Sequence, residues 1–442
     1  MDFRTNINFR KEKLIRLLHH IDKHEADIIN ALQKDFGKPA FEAYLTEIQI
    51  VTDDLKQTIK NINRWSKPKK VWPSLLNFPS RDFIYSEPYG NVLIISPWNY
   101  PFQLAICPLI AAVAAGNKVT LKPSELTPNT SALISKIVRE TFPAQHVVAI
   151  LGDATIAKDL LKKRWDYIFF TGSVKVGKSV YKAAAENLTP VTLELGGKNP
   201  CIVDDSAPLQ LTAKRIVWGK FINAGQTCIA PDYILVHAKV KAQLILHLKN
   251  EITHAYGENP ELSPDLARIV NKENLHRLLG LLAKQQLIFG GSHNEDNRYL
   301  APTLVEEPDL DSELMQQEIF GPILPILAYS NADDLKRIIS RSEKPLALYV
   351  FTERKDFAEK MIRQFSFGGG CVNDTVVHFS NNRLPFGGVG HSGIGAYRGK
   401  KSFDLFSHQK SIVKRATWLD IPVRYAPYRN KLERIKKVLK WL

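Results

Sequence analysis

Cys228 follows Asn223-Ala-Gly225-Gln-Thr227, which places a thiol on a glycine turn after the expected helix Leu209–Asn223. A thiolate in such a place is a nucleophile, provided its reference pKa of about 8.5 is lowered. Cysteine is by default a small buried hydrophobe, and Cys107 (in an apolar helix) and Cys201 (in an apolar strand) fit that default where Cys228 does not. Glu194 ends the apolar run Val191-Thr-Leu-Glu194-Leu before Gly196-Gly197. A carboxylate at a strand end in apolar surroundings holds its proton to higher pH and can act as a base, or can pair with a buried cation. Asn99 lies in Ser96-Pro-Trp-Asn99-Tyr-Pro-Phe102, a turn bracketed by prolines. Its amide could donate to an oxyanion or close an Asx turn.

A second group suits an anionic ligand. The apolar strand Asp166–Thr171 leads into Gly172-Ser173-Val-Lys-Val-Gly177 and then a helix. Such a junction aims backbone N–H groups and a helix dipole at a phosphate. The spacing is GxxxxG, without the leading GxG of the common dinucleotide fingerprint, so a tight turn explains it equally well. Lys122 and Glu125, in Leu121-Lys-Pro-Ser-Glu125, follow another strand. One donor and one acceptor three residues apart could hold the hydroxyls of a ribose or form a solvated turn before a helix.

Presenting these residues together takes a sizeable framework. The 442 residues predict two or three domains, and 44% hydrophobic with 24% charged residues is a globular balance. Strands of four to six apolar residues alternate with helices from about residue 92 onward: Val92–Ser96, Lys118–Leu121, His146–Ile150, Tyr167–Thr171 and Val191–Glu194, then Cys201–Val203, Tyr233–Val236, Ile323–Leu327 and Leu346–Phe351. That alternation predicts parallel sheets covered on both faces. Upstream, two helices are expected on either side of Phe36-Gly37-Lys38-Pro39, then the short strand Phe83–Ser86; a last alternating run, Ser402–Val413, reads as an edge strand. The four cysteines are far apart with no CxxC pair, which suits a reducing, cytoplasmic compartment and gives no metal-ligand spacing. The apolar stretch 91–116 is broken by Pro97, Pro101 and Pro108 and reads as a strand, a turn and a core helix rather than a membrane span.

Taken in order, SPWNYPF, KPSE, FTGSVKVG, LELGGKNP, GQTC, EIFGPILP and LPFGGVGHSG resemble the aldehyde dehydrogenase superfamily, over residues 10 to 415. The segment Asn223–Tyr233 and Arg424-Tyr-Ala-Pro-Tyr428 are most similar to its class 3, fatty-aldehyde branch. The resemblance implies an α/β fold of two doubly wound parallel-sheet domains and a small β oligomerisation arm. It divides the chain into a cofactor domain at 1–195, a catalytic domain at 196–400, an arm from 70–90 with 401–415, and a tail at 416–442. It implies Cys228 as nucleophile, Asn99 with the Cys228 N–H as oxyanion donors, and Glu194 as the base for thioester hydrolysis. It further implies Lys122 and Glu125 on the adenosine ribose, Gly172, Ser173 and Gly177 at the pyrophosphate, Glu318 on the nicotinamide ribose and Phe320 beside the ring. The implied cofactor is NAD, with NADP left open; Glu125 would repel a 2′-phosphate. The implied partners are a medium- or long-chain or aromatic aldehyde and a second copy of the chain, with no metal.

Two other functions would use parts of the same pattern. An acyl-CoA or acyl-phosphate reductase of the same superfamily would have no need of Glu194. A cofactor-independent thiol hydrolase needs an imidazole, and none of the 12 histidines lies within eight residues of Cys228. Net charge is +15, but residues 429–442 alone hold six basic side chains and one acidic, and no stretch interleaves Arg with aromatics for nucleic acid. In this tail Leu432, Ile435, Val438, Leu439 and Leu442 fall near one helical face, a pattern that could lie peripherally on an anionic bilayer or pack on a subunit.

Overall fold

The computed structural model describes residues 5–74 and 77–440. Its first sheet has the order Gly393–Ile394, Val191–Glu194, Tyr167–Thr171, Asn91–Ile95, Lys118–Lys122, Val147–Ala149, parallel except for the Gly393–Ile394 edge. The strand Tyr167–Thr171 is buried along its whole length, as a sheet with helices on both faces requires. The chain starts this sheet in the middle, at Asn91–Ile95, and winds outward in both directions, so a switch point lies between that strand and Tyr167–Thr171. Ligands of open parallel sheets bind beyond the carboxyl ends of strands at such a point. Helix Gln103–Ala115 packs beneath; all its residues are buried, as an all-round apolar helix must be.

A second sheet has the order Leu287–Phe289, Thr303–Glu306, Ile323–Tyr329, Tyr233–His237, Pro200–Val203, Ala347–Phe351, Gly369–Val372, with only Leu287–Phe289 antiparallel. The link from Glu194 to Pro200 is so short that the carboxyl end of the first sheet faces the amino end of the second. Asn99, Lys122, Gly172 and Glu194 follow or end strands of the first sheet, whereas Cys228, Glu318 and Phe320 precede strands of the second. Motifs scattered along the chain thus meet at one junction.

Several expectations need correction. The N-terminal region holds more than two helices: Ile7–Lys23 and Glu25–Phe36 divide at His24, and Gly37, with φ +63°, stops the second. Beyond Pro39 come Ala40–Ala43, a π-helical turn Tyr44–Ile48 and Gln49–Trp65. The final run does not begin as a strand at Ser402, because Lys400–Leu405 is helical; the strand is Ser407–Arg415. It pairs antiparallel with Ser80–Pro88, which also pairs with Lys69–Val71, and the three form a separate small sheet. The tail helix is Leu432–Leu439, with Leu432 and Leu439 exposed; Leu442 and the Val438 side chain lie outside the described residues. No helix among the described residues is long and apolar enough to cross a membrane.

Helix Pro128–Thr141 carries no side-chain cap of its own at Thr127. Asp35, buried at the end of Glu25–Phe36, supplies one: its carboxylate accepts from the Asn129 and Thr130 N–H groups at 3.0 and 2.9 Å, and from the Asn129 amide and Thr130 hydroxyl at 2.7 Å each. Asp35→Ala leaves these donors unmet and is expected to cost about 2–3 kcal/mol in chemical denaturation, with Asp35→Asn recovering part of it. A loss below about 0.5 kcal/mol, the scale of an ordinary surface substitution, would contradict this capping role.

Candidate active site

Helix Leu209–Phe221 gives way to a turn in which Asn223, Ala224 and Gly225 all have positive φ, at +56°, +52° and +74°. A left-handed non-glycine residue costs roughly 1–2 kcal/mol, so the turn needs outside support. A Cβ on Gly225 would meet the Gly321 carbonyl oxygen at 2.3 Å, so only glycine fits there. The Asn223 N–H donates to Glu42 Oε2 at 2.9 Å, and its side-chain amide donates to the Asn99 and Gln226 carbonyls at 2.9 and 3.2 Å. The Gln226 amide donates to the Asn223 and Arg268 carbonyls and accepts from Val270 N–H, each at 3.0 Å. Beyond the thiol, Asn199 Nδ2 donates to the Cys228 and Ala230 carbonyls at 2.7 and 3.0 Å, and the Tyr349 hydroxyl donates to the Ile229 carbonyl at 2.5 Å. The backbone is therefore pinned on both sides of Cys228, whose side chain faces a cavity.

That cavity is about 600 Å³ in volume and is lined by Cys228 and Glu194 together with Thr171, Leu195, Trp218, Ile222, Val377 and Phe379, among others. Glu194 is 3% exposed, and neither carboxylate oxygen has a hydrogen-bond partner among the described residues. Burial pushes its carboxyl well above the usual range. The same burial, aided by Glu318 and Glu194, pushes the Cys228 thiol up to about 12, while the Cys228 and Ile229 N–H groups act in the opposite direction. Asn99 is buried beside the thiol loop, and its Nδ2 donates to the Gln226 carbonyl at 3.1 Å. Tyr100, which sequence reasoning missed, bonds through its hydroxyl to Thr227 Oγ1 at 2.7 Å. No histidine is among the lining residues; His378 lies 3.5 Å from Cys371 instead. Cys107 and Cys201 are buried in helix and strand, as expected.

The other expected residues lie around the same junction, off the cavity. Lys122 Nζ is buried and donates to Glu125 Oε2 at 2.8 Å and to the Pro123 carbonyl at 2.9 Å. Ser173 caps helix Val174–Ala185 through a 3.4 Å bond from Val176 N–H. Gly172 and Gly177 also have packing reasons: a Cβ would meet Phe170 Cζ at 2.6 Å and Leu195 Cδ2 at 2.7 Å. Glu318 accepts from the Gly197 N–H at 3.3 Å, and burial pushes its carboxyl up to about 8. Phe320, at φ +51°, meets Trp98 edge-on with ring centroids 5.3 Å apart. Ser96 Oγ and Thr171 Oγ1, at the ends of the two strands flanking the switch point, are buried without a protein partner among the described residues. Orphaned hydroxyls there, with a capped helix start and a buried Lys122 paired to the exposed Glu125, suit a nucleotide.

Away from the cavity, His20, His24 and Glu140 converge, with Glu140 Oε2 3.4 Å from His20 Nδ1 and from His24 Nε2. Asp27 accepts from His24 Nδ1 at 2.7 Å, and Arg16 Nε donates to His20 Nε2 at 3.4 Å. Sequence reading could not have paired residues 116 positions apart.

Residues 3–412 match the Aldehyde dehydrogenase family. A 4,4'-diaponeurosporen-aldehyde dehydrogenase of Staphylococcus aureus is 49% identical, covering 98% of this chain and 95% of that protein. Aldehyde dehydrogenase family 3 member H1 of Arabidopsis thaliana is 44% identical, covering 98% and 90%. Among solved structures, the substrate-bound state of Staphylococcus aureus AldH superposes with a TM-score of 0.96 at 49% identity, covering 98% and 95% of the two chains. An NAD+ complex of an aldehyde dehydrogenase from Bacillus cereus superposes with a TM-score of 0.85 at 25% identity, covering 93% and 84%. This chain belongs to the aldehyde dehydrogenase family, as an NAD(P)-dependent oxidoreductase that takes an aldehyde to its carboxylic acid.

Proposed function

We propose that the reaction runs through a covalent Cys228 acyl-enzyme and that the substrate is an apolar aldehyde, medium- or long-chain or aromatic. The observation that carries this reading is the sharing of one largely apolar cavity by Cys228 and Glu194. Cys228 releases its thiol proton to solvent and adds as the thiolate, through Sγ, to the carbonyl carbon, which becomes tetrahedral. The oxygen that becomes an oxyanion accepts from the Cys228 N–H and from the Asn99 amide, which carries two N–H groups and spends one on Gln226. Bound NAD(P) supplies the acceptor for the hydride that leaves this carbon. Glu194 then takes a proton from water as the water attacks the Cys228 thioester, and the acid departs as the thiol is restored.

Around the cofactor, Lys122 and Glu125 would hold the adenosine ribose, Gly172, Ser173 and Gly177 would border the pyrophosphate, Glu318 would hold the nicotinamide ribose, and Phe320 would flank the ring. The exposed Glu125 carboxylate favours NAD over NADP by repelling a 2′-phosphate. Residues 1–195 would be the cofactor domain and 196–400 the catalytic domain. The small antiparallel sheet, with Phe78 and Val413 exposed close by or on it, would join two copies into a dimer, which sedimentation can test. The protein would be cytoplasmic, with the basic tail resting on a membrane surface.

Steady-state assays with aldehydes of increasing length, each with NAD and NADP, should give kcat/KM rising with apolar length and higher with NAD; a preference for short polar aldehydes would refute the substrate class. In the same assay Cys228→Ala should remove turnover, and Glu194→Gln should release one equivalent of reduced cofactor and then stall as an acyl-enzyme. Without cofactor, alkylation of Cys228 by iodoacetamide, followed by mass spectrometry, should quicken about tenfold per pH unit from 7 to 10, because only the thiolate reacts. A plateau below pH 8 would show a thiol already ionised. Removal of 429–442 should weaken binding to anionic vesicles in a salt-sensitive manner, and a full chain that ignores such vesicles at low salt would end the membrane reading.

A further inference from the structure

Two carboxylates on one short stretch of helix reach the turn before the thiol and the turn that carries Asn99. Glu42 lies in Ala40–Ala43 and Glu47 in the π-helical turn Tyr44–Ile48, where the Gln49 N–H bonds to the Tyr44 carbonyl five residues back. In an unbroken α-helix, residues five apart point about 140° away from each other. The π turn absorbs an extra residue, a device that recurs at functional sites. Glu42 Oε2 accepts from the Asn223 N–H at 2.9 Å, at the start of the left-handed turn that leads to Cys228. Glu47 Oε2 accepts from the Phe102 and Gln103 N–H groups, also at 2.9 Å each, just past Asn99.

Each contact answers a specific need. Helix Gln103–Ala115 has no side-chain cap of its own, so the Glu47 carboxylate serves its positive end. Glu47 is fully buried and balanced by Lys38, whose Nζ donates to Oε1 at 2.8 Å. The same ammonium sits 4.0 Å above the Tyr100 ring, and the Tyr100 hydroxyl holds Thr227. The two loops are joined directly by the Asn223 amide on the Asn99 carbonyl. Neither carboxylate lines the cavity that holds Cys228.

We infer that Glu42 and Glu47 are positioning residues: Glu42 sets the loop that carries Cys228, Glu47 sets the turn that carries Asn99, and together they fix the distance between thiol and oxyanion donor. This rests on the proposed roles of Cys228 and Asn99. A misplacement of about 1 Å in such a site can cost on the order of a hundredfold in rate.

The test is a set of variants measured for kcat, KM and thermal stability. Glu42→Ala should lower kcat about tenfold with KM within about twofold, and Glu42→Gln, whose side-chain carbonyl can still accept from Asn223, should restore most of it. Glu47→Asp keeps the charge beside Lys38 but draws it back from Phe102 and Gln103, and should likewise lower kcat about tenfold. Asn99→Ala alone should cost about 10²–10³ in kcat. Adding Glu47→Asp to Asn99→Ala should then change little, because Glu47 acts through that amide. Fully additive losses, or unchanged kcat with a lowered melting temperature, would show that the carboxylates only stabilise the fold and would overturn the inference. An Asn99→Ala variant with normal turnover would instead refute the oxyanion assignment and the Glu47 half with it. If Glu47→Asp fails to fold, the Glu42→Ala and Glu42→Gln pair decides alone.

Discussion

A thiol and a carboxylate share one largely apolar cavity, and the energetics of the site follow from that. Removing water favours an apolar substrate and strengthens every dipole inside, but it also penalises both charged forms. Cys228 is driven to about 12 and Glu194 well above its usual range for the same reason. Neither group has an opposite charge among the residues lining the cavity close enough to be a hydrogen-bond partner. The compensation comes from fixed dipoles, the N–H groups of Cys228 and Ile229, which stabilise negative charge without competing for a proton. A backbone donor is useful only if the backbone holds still. This accounts for the density of hydrogen bonds around the left-handed turn, where Asn223, Gln226, Asn199 and Tyr349 each hold main-chain atoms near the thiol.

The topology supplies the second half. A parallel sheet puts all its strand ends of one kind on one side, so two sheets joined by residues 195–199 create a junction of carboxyl ends facing amino ends. Glu194 arrives at the end of a strand and Cys228 ahead of another. Neither needs a long excursion from its sheet, and rigid neighbours set both positions.

Much of this was legible along the chain. The alternation of short apolar runs with helices specified parallel sheets, and glycine-bounded Cys228 and strand-ending Glu194 stood out because each violates the ordinary habit of its residue type. What escaped were features that depend on contacts remote in sequence. The π turn at Tyr44–Ile48 has no local signature, since its value lies in contacts 55 and 181 positions away. The split at His24 interrupts an otherwise continuous amphipathic pattern, and the helix Lys400–Leu405 hides in a run whose alternation suggested strand. Tyr100 read as part of a proline-bracketed turn, although its hydroxyl reaches Thr227 across 127 residues.

The glycine turn after Tyr167–Thr171 shows how one residue type serves two ends. Its spacing is a phosphate signal, yet the Gly172 N–H donates to the Glu194 carbonyl at 3.0 Å, and a Cβ on Gly177 would strike Leu195. The turn is thus fastened to the strand end that carries Glu194. A bulkier residue at 177 would push on Leu195, whose neighbour is the proposed base, before it reached any ligand. Close packing transmits such a displacement because the interior has no slack to absorb it. The turn proposed for the cofactor and the carboxylate proposed for hydrolysis are consequently fastened to each other, and neither can be relaxed alone.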